Sequence, residues 1–352
     1  MTGAIDPDLY ERRQALLETQ RGCPNRCAYC TYHKGLPSVC YFSLARVQAE
    51  LDCLILEREV QAIRICDSVF PSDLDRAKEI VRHLLRLKGR PGVRLPWIYW
   101  EFTIDSVDEE FLALVSALRY RAPIRNVDAI APADRPQLYD EMLRDYVAVN
   151  CVGIQSLHGP ALVAIGRRAV GLGGLKSFLD SARRHNIVLK LDLILGLPLE
   201  TLRSWKAGLA QLLPFLNGTD HILNLHRLQI LPGSDLEEAA ARFGLRCLHG
   251  NWGLVTATST ISEAEMARAS KEAAMLFRVM NSPLRSAFFA ASHGAGGGCV
   301  ELAARLLDMA LADASLAGTR LALDAWLEDP YWNRDVYLDV PSPWLAFAMS
   351  HT

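Results

Sequence analysis

The sequence predicts an α/β protein built as a partial, TIM-like (β/α)6 barrel of parallel strands with a mainly helical C-terminal region. Two observations predict this fold class. Short apolar runs alternate with longer amphipathic segments from about residue 15 to residue 230 of the 352-residue chain. The alternation gives six strand–helix units, which favour a parallel sheet with right-handed crossovers. Six units are fewer than a closed eight-stranded barrel needs, so we expect an open one.

The predicted strands are the apolar runs 15–19, 62–67, 97–102, 146–155, 187–195 and 222–230. The predicted helices repeat apolar residues at intervals of three and four, as Ala77, Ile80 and Leu84 do. They cover residues 43–59, 73–88, 175–185 and 202–213. In a sheet of this kind the functional site lies at the carboxyl ends of the strands.

The alternation ends at the turn Pro232-Gly233-Ser234. Residues 235–330 then show helical periodicity, with helices predicted at 264–280 and 300–317 and a glycine-rich loop at 293–298. The aromatic, proline-rich tail 331–352 is predicted to form a short strand and a packed end. We therefore divide the chain into a barrel domain, residues 1–234, and a helical region, residues 235–352.

The composition excludes several classes of protein. Half of the residues are hydrophobic and 22% are charged, which is typical of a globular protein and not of a disordered chain. A net charge of −2 lacks the basic excess of a nucleic-acid binder. No apolar run reaches the roughly 18–20 residues that span a bilayer, and no secretory signal is visible. We expect a cytoplasmic protein whose partners include neither nucleic acid nor a membrane.

Three of the nine cysteines form a cluster directly after the first predicted strand. Cys23, Cys27 and Cys30 have the spacing C-x3-C-x2-C. Three thiolates on a 4Fe–4S cluster leave one iron without a protein ligand, and that iron is open to chemistry. A structural zinc site is the alternative, with His33 or Cys40 as the fourth ligand. Zinc ligands commonly come as paired motifs and the chain has no second C-x2-C, so the iron–sulfur cluster is the favoured hypothesis.

This motif, with the aromatic Tyr29 before its third cysteine, resembles the signature of the radical S-adenosylmethionine (radical SAM) enzymes. The resemblance covers residues 18–245 and is strongest to the cobalamin-type radical SAM enzymes and the oxygen-independent coproporphyrinogen dehydrogenases. The further matches are Glu101 at the end of the third strand, Gln155 in Gly153-Ile154-Gln155-Ser156, Arg167 twelve residues later, Asp192 before Leu193-Ile194-Leu195-Gly196-Leu197-Pro198, and the ending Leu228-Gln229-Ile230-Leu231-Pro232-Gly233-Ser234.

The resemblance implies an activity. The three cysteines would hold a 4Fe–4S cluster that cleaves S-adenosylmethionine (SAM) reductively to methionine and a 5′-deoxyadenosyl radical. The radical would abstract hydrogen from a small-molecule substrate in a biosynthetic tailoring step: an oxidation, dehydration, decarboxylation, cyclisation or rearrangement. An electron donor such as flavodoxin or ferredoxin is the implied partner, and the helical region would cover the substrate at the barrel mouth.

The resemblance also implies which residues bind SAM. Arg167 suits the SAM carboxylate because a guanidinium binds a carboxylate through two hydrogen bonds, with Arg168 as its rival. Acidic and amide side chains suit the ammonium and the hydroxyls, and these are Glu101, Gln155 and Asp192. Tyr29 would lie near the adenine. The predicted substrate contacts at strand ends are Asp67, Tyr99, His158, His226 and Arg227, of which His226 also suits a buried core histidine.

Two features depart from the cobalamin-type pattern. About twenty residues precede the cysteines, which is too short for a cobalamin-binding domain, so cobalamin is possible but not expected. The other six cysteines (Cys40, Cys53, Cys66, Cys151, Cys247 and Cys299) are scattered and mostly on apolar faces, so we expect one cluster. A methyltransferase that binds cobalamin without a dedicated domain stays an alternative. A non-enzymatic zinc or iron–sulfur protein is a further one.

Overall fold

The computed structural model describes residues 14–119, 148–169, 171–248, 253–281, 285–294 and 298–312. Its central sheet contains six parallel strands: β1 (Gln14–Leu17), β4 (Ala62–Ile65), β5 (Trp97–Phe102), β6 (Ala148–Gln155), β7 (Leu189–Leu195) and β8 (Ile222–Arg227). They lie side by side in chain order, as successive strand–helix crossovers produce. The short strands β2 (Gln20–Arg21) and β3 (Cys40–Tyr41) pair antiparallel and enclose the loop with the clustered cysteines. The partial barrel predicted from the sequence is confirmed.

Helices follow the strands. They are α1 (Leu44–Asp52), α2 (Leu74–Lys88), α3 (Glu109–Ala117), α4 (Gly159–Ala164), α5 (Leu172–Arg184), α6 (Leu202–Leu212), α7 (Asp235–Ala239), α8 (Glu263–Met280), α9 (Arg285–Gly294) and α10 (Cys299–Ala312). Side chains cap the N-termini of several of these helices. Asp73 accepts the Arg76 N–H at the start of α2, and Ser262 and Glu265 form a capping box at the start of α8. A π-helical turn, Cys53–Glu57, continues α1.

Strand β5 shows how the sequence separates the core from the barrel interior. Along it, Ile98, Trp100 and Phe102 are buried and alternate with partly exposed residues. The Trp100 ring stacks on Phe70, with the ring centroids 4.8 Å apart. This contact packs the outer face of the sheet against the segment that follows β4. Because side chains alternate along a strand, Tyr99 and Glu101 occupy the opposite face. The apolar core thus forces the polar residues of β5 toward the barrel interior.

The register of the sheet aligns polar residues from neighbouring strands. Glu101 of β5 lies opposite Cys151 of β6, and Cys151 lies opposite Lys190 of β7. One step along, Gly153 lies opposite Asp192, which in turn lies opposite Asn224 of β8. Residues in register share a level of the barrel interior, so these side chains come together although they are far apart in sequence.

The region after residue 235 contributes to the barrel. Helix α8 packs against β8, and Asn281 at its end hydrogen-bonds to this edge strand. The Asn281 Oδ1 accepts the Leu223 N–H at 3.0 Å, and its Nδ2 donates to the Leu223 carbonyl at 2.7 Å. This region also contains an antiparallel pair, β9 (Arg246–Cys247) and β10 (Val255–Ala257), which the sequence analysis did not predict. The division of the chain at residue 234 stays a prediction.

Most predicted bounds agree with the structure to within a few residues. Strand 97–102 is identical to β5, and helix 264–280 begins one residue late relative to α8. Helix α9 continues into the predicted glycine-rich loop as far as Gly294. The start of predicted strand 146–155, the end of predicted helix 300–317 and the tail 331–352 lie outside the described residues. In the described part of the chain, no helix is both long and apolar enough to cross a membrane.

Glu200, which follows β7, is a buried carboxyl that joins two loops at the carboxyl ends of the strands. It is 1% exposed, and its Oε1 accepts the Ser156 hydroxyl, while the Ser156 oxygen accepts the His158 N–H at 2.9 Å. The Glu200 Oε2 is buried and has no hydrogen-bond partner among the described residues. Burial raises the pKa of Glu200 to about 7, against the opposing effect of the Ser156 hydrogen bond.

We predict that Glu200→Gln flattens the pH dependence of stability. A carboxyl whose pKa is higher in the folded than in the unfolded state destabilises the fold as pH rises between the two values, here from about 4.5 to about 7. The wild type should therefore lose up to about 3 kcal/mol of unfolding free energy across that range through this group. Glu200→Gln should lose less, measured by urea unfolding at pH 5 and pH 8. The exposed Glu238→Gln is the control; if it behaves like Glu200→Gln, Glu200 is not the source.

Candidate active site

A cavity of about 450 Å³ lies among the carboxyl ends of strands β4 to β7 and the loop between β2 and β3. It brings together all of the predicted cluster and SAM residues. These are Cys23, Cys27, Cys30, Tyr29, Glu101, Gln155, Arg167 and Asp192. They come from the loop, from three strands and from the segment after α4, so only the folded chain assembles them.

The loop with the cysteines is held by backbone hydrogen bonds on both sides. The Ala28 N–H donates to the Ile165 carbonyl at 2.9 Å, and the Ala28 carbonyl accepts the Leu236 N–H at 2.7 Å. Cys27 is 6% exposed, whereas Cys23 and Cys30 are half-buried. The middle of the motif is thus fixed between the end of α4 and the start of α7, and all three thiols line the cavity.

Asp67 fixes the start of the same loop. It is 3% exposed and lies directly after β4, where its Oδ1 accepts the N–H groups of Thr19 at 2.8 Å and Gln20 at 3.2 Å. Its Oδ2 accepts the Thr19 hydroxyl at 2.5 Å. Burial raises the pKa of Asp67, and these hydrogen bonds partly offset the rise. Asp67 lines the cavity, as a substrate contact would, but both of its oxygens already bind the loop.

Arg167 lies between the cysteine loop and β6. Its Nη2 donates to the Gly153 carbonyl at 2.7 Å, and its Nη1 lies 3.6 Å from the Cys27 Sγ. The Tyr29 hydroxyl is a further neighbour of both Cys27 and Arg167. Burial, and next the charge of Cys27, raises the pKa of Tyr29 well above its usual value, so this phenol stays neutral. The cavity therefore holds a fixed cation beside the cysteines.

A bulge at the end of β6 positions Gln155. Its backbone is left-handed, with φ of 67°, and the pairing with β7 shifts register between Gly153 and Gln155. Glycine at position 153 leaves room for this amide, because a Cβ there would lie 2.4 Å from the Gln155 Nε2 and would force the amide to move. The glycine and the bulge together place the Gln155 amide over the strand end, at the wall of the cavity.

Two carboxylates face the cavity with different pKa values. The Glu101 side chain is 44% exposed to the cavity, yet the surrounding protein desolvates it. This burial, and next the repulsion from Asp192, raises the pKa of Glu101 to about 6. Burial also raises the pKa of Asp192, but the hydrogen bond and charge of His226 outweigh it, and the pKa is held below its usual range. At neutral pH both Glu101 and Asp192 are therefore negatively charged.

His226 and Asn224 on β8 hold Asp192 in place. The Asp192 Oδ1 accepts the Asn224 side-chain amide and lies 3.4 Å from the His226 Nε2. The His226 Nε2 lies 2.7 Å from the Asn224 Nδ2, so the three side chains form one network. His226, predicted as a substrate contact, is placed to orient Asp192 and is 41% exposed.

The other predicted substrate contacts lie in different places. Tyr99 lies next to the cavity on β5, where its hydroxyl accepts the Cys151 thiol at 2.8 Å. His158 precedes α4 at its N-cap position, makes no capping hydrogen bond with its side chain and does not line the cavity. Arg227 donates to the Val255 carbonyl at 3.4 Å and does not line the cavity either. Tyr99 and His226 do not line the cavity either, but they contact Cys151 and Asp192, which do.

The cavity also contains residues that the sequence analysis did not single out. Arg64, Cys66 and Cys151 line it, although both cysteines were expected as core residues. Lys190 lies beside it, opposite Cys151. A signal for these positions was present, because Cys151 and Lys190 stand two residues before Gly153 and Asp192 and so share their strand faces.

The donor set fits a 4Fe–4S cluster. Burial raises the pKa of Cys23 and of Cys30, so binding iron must displace their protons, as is usual for thiolate ligands. Among the described residues, no group of three or more His, Cys, Asp or Glu side chains is placed to hold a single metal ion. The thiolate ligands of a cluster bind different iron atoms and need not converge on one point.

No protein-family model matches the chain, but curated proteins with similar sequences are known. It is 29% identical over 241 residues to the cobalamin-dependent radical SAM methyltransferase TokK of Streptomyces tokunonensis, covering 67% of this chain and 31% of TokK. It is also 29% identical over 238 residues to the 2-(S-pantetheinyl)-carbapenam-3-carboxylate methyltransferase of Streptantibioticus cattleyicolor, with the same coverages. The chain thus spans less than a third of the length of these relatives.

Solved structures share the fold. The radical SAM methyltransferase TsrM of Kitasatospora setae, with cobalamin and a 4Fe–4S cluster bound, superposes with a TM-score of 0.53 at 19% identity. The match covers 74% of this chain and 48% of TsrM. These relatives confirm the resemblance to radical SAM enzymes that the sequence analysis stated. The three cysteines and the residues that the resemblance predicts to bind SAM are among those that line the cavity.

We predict that Glu101 makes SAM binding to this chain dependent on pH. An ionised Glu101 attracts the SAM ammonium, and with a pKa of about 6 it is mostly protonated at pH 5. SAM affinity of the cluster-loaded protein should then be about tenfold weaker at pH 5 than at pH 8. In Glu101→Gln the affinity should be low and flat across this range, measured by equilibrium dialysis. Glu263→Gln, outside the cavity, should keep the wild-type pH profile, and a steep profile in Glu101→Gln would contradict the assignment.

Proposed function

We propose that this chain forms the active site of a radical SAM enzyme that acts on a small molecule. The observation that carries the proposal is that three thiols and five side chains suited to SAM line one cavity at the carboxyl ends of the strands. When bound, a 4Fe–4S cluster at Cys23, Cys27 and Cys30 supplies the electron that cleaves SAM to methionine and a 5′-deoxyadenosyl radical.

The residues of the chain bind and orient SAM. Arg167 is fixed by the Gly153 carbonyl and the Cys27 sulfur, and it presents its guanidinium to the SAM carboxylate. Glu101 and Asp192 supply the negative charge that suits the ammonium and the sulfonium. The Gln155 amide is suited to a ribose hydroxyl.

The relatives favour methyl transfer as the reaction. Both sequence relatives are named as methyltransferases, and TokK is named as cobalamin-dependent. We therefore propose transfer of a methyl group from SAM to a carbon atom of the substrate, with cobalamin as a second cofactor. This differs from the main sequence expectation, a tailoring step without methyl transfer, and agrees with its alternative. A flavodoxin or ferredoxin is the proposed electron donor.

The first test is production of 5′-deoxyadenosine. The protein would be reconstituted anaerobically with iron and sulfide, reduced with dithionite and incubated with SAM, with and without added cobalamin. We expect a brown protein and release of 5′-deoxyadenosine. With cobalamin and a methyl-accepting substrate, S-adenosylhomocysteine should appear as well, because the methyl group leaves SAM. A loaded protein that yields 5′-deoxyadenosine but never S-adenosylhomocysteine would instead support a tailoring step without methyl transfer.

Paired cysteine variants provide the control. Cys27→Ser should lose the cluster and all 5′-deoxyadenosine, because one of the three ligands is missing. Cys247→Ser removes an exposed cysteine of β9 and should keep both. A zinc-loaded, colourless wild-type protein would contradict the proposed function.

Neighbouring arginines allow a sharp test of the SAM carboxylate site. Arg167→Ala should keep the cluster but weaken SAM binding by about tenfold or more, because a charge-assisted, two-point contact is lost. Arg168→Ala, one residue away and exposed, should bind SAM normally. Equilibrium dialysis on cluster-loaded protein measures both. Normal binding by Arg167→Ala, or loss in Arg168→Ala, would show that the carboxylate is assigned to the wrong residue.

A further inference from the structure

Two cations surround one aromatic ring beside the cavity. The Arg64 guanidinium on β4 lies 4.8 Å from the centre of the Tyr99 ring, and the Lys190 ammonium on β7 lies 5.8 Å from the same centre. Arg64 lies opposite Tyr99 in the register of the sheet and lines the cavity with its side chain half-exposed. Lys190 is partly buried. The ring thus brings two positive charges from different strands to the same part of the barrel interior.

Neither cation has a hydrogen-bond acceptor among the described residues. The nearest carboxylate oxygen to Arg64 is the Glu101 Oε1 at 3.9 Å, beyond hydrogen-bond distance. Lys190 makes no hydrogen bond and no ion pair with the described part of the chain. A guanidinium and an ammonium have eight N–H donors between them, so the barrel interior holds a large unused capacity to bind an anion.

The carboxylates near the two cations make their hydrogen bonds to other residues. Asp67 binds Thr19 and Gln20, and Asp192 binds Asn224 and His226. Glu101 is assigned to the SAM ammonium under the proposed function. Glu101 and Asp192 attract Arg64 and Lys190 through space, but neither carboxylate accepts a hydrogen bond from them, so the N–H groups of both cations are open to an anionic ligand.

We propose that Arg64 and Lys190 form a subsite for a carboxylate of the substrate, separate from the SAM carboxylate site at Arg167. The inference rests on the proposed function in taking the ligand to be the substrate. The forked guanidinium of Arg64 provides the two-point contact, and Lys190 adds a point charge. Leu16, a residue of β1 that is 63% exposed and lines the cavity, offers apolar surface for the body of the molecule.

The test uses two small probes that differ only in charge. Fluorine NMR would follow the binding of 4-fluorobenzoate and of its neutral counterpart 4-fluorobenzamide to the cluster-loaded protein saturated with SAM. We expect saturable binding of the benzoate and none of the amide. Arg64→Met and Lys190→Met should each weaken benzoate binding by about tenfold, and the double variant should abolish it. Arg64→Lys, which keeps the charge, should retain part of the affinity.

Matched controls separate this subsite from general charge effects and from the SAM site. Arg90→Met and Lys176→Met remove the same charges from exposed positions outside the cavity and should bind the benzoate normally. Equal binding of the two probes, or unchanged benzoate binding by the double variant, overturns the proposal. So does a loss of SAM affinity in the double variant, because the cations then serve SAM. If the wild type binds the benzoate but never SAM, the proposed function fails and the anion subsite stands.

Discussion

The register of the parallel strands β5 to β8 is the constraint on which the site depends. It aligns Glu101 with Cys151, and Gly153 with Asp192, so groups from four strands meet at shared levels of the barrel interior. A slip of one residue in any pair would turn these polar side chains into the apolar core, which holds Trp100 and its stacked partner. Packing of the apolar core therefore fixes the register of the strands. The same packing fixes the positions of the polar side chains in the cavity.

The cavity and its surroundings contain side chains of both charges, which come from different parts of the chain. The negative charges of Glu101 and Asp192 face positive charges of Arg64, Lys190 and Arg167, which approach from other strands and from the segment after α4. SAM is itself a mixed ion, with a carboxylate, an ammonium and a sulfonium. A site with fixed charges of both signs can orient such a molecule in one direction, whereas a site of one sign could only attract it.

Much of this was predictable from sequence, because the signals were local. Periodicity located β5 to the residue, and the spacing of the cysteines with the matches at Glu101, Gln155, Arg167 and Asp192 pointed to residues that meet in one cavity. What could not be predicted depends on closure of the sheet. Arg64 and Lys190 approach the Tyr99 ring only because strands that are far apart in sequence come together in the sheet, and the role of Asp67 in holding Thr19 joins residues 48 positions apart. The strands β9 and β10 are too short to give a periodic signal.

The side-chain amide of Asn281 has a consequence for how the chain can be cut. Its two hydrogen bonds to Leu223 occupy an N–H and a C=O on β8, the last strand of an open sheet. A chain truncated after residue 234 would expose these groups together with the apolar face that α8 covers, and unpaired strand edges of this kind recruit other chains. Helix α8 and Asn281 thus protect the edge strand of the barrel, and insoluble aggregates are the expected product when the barrel is expressed alone.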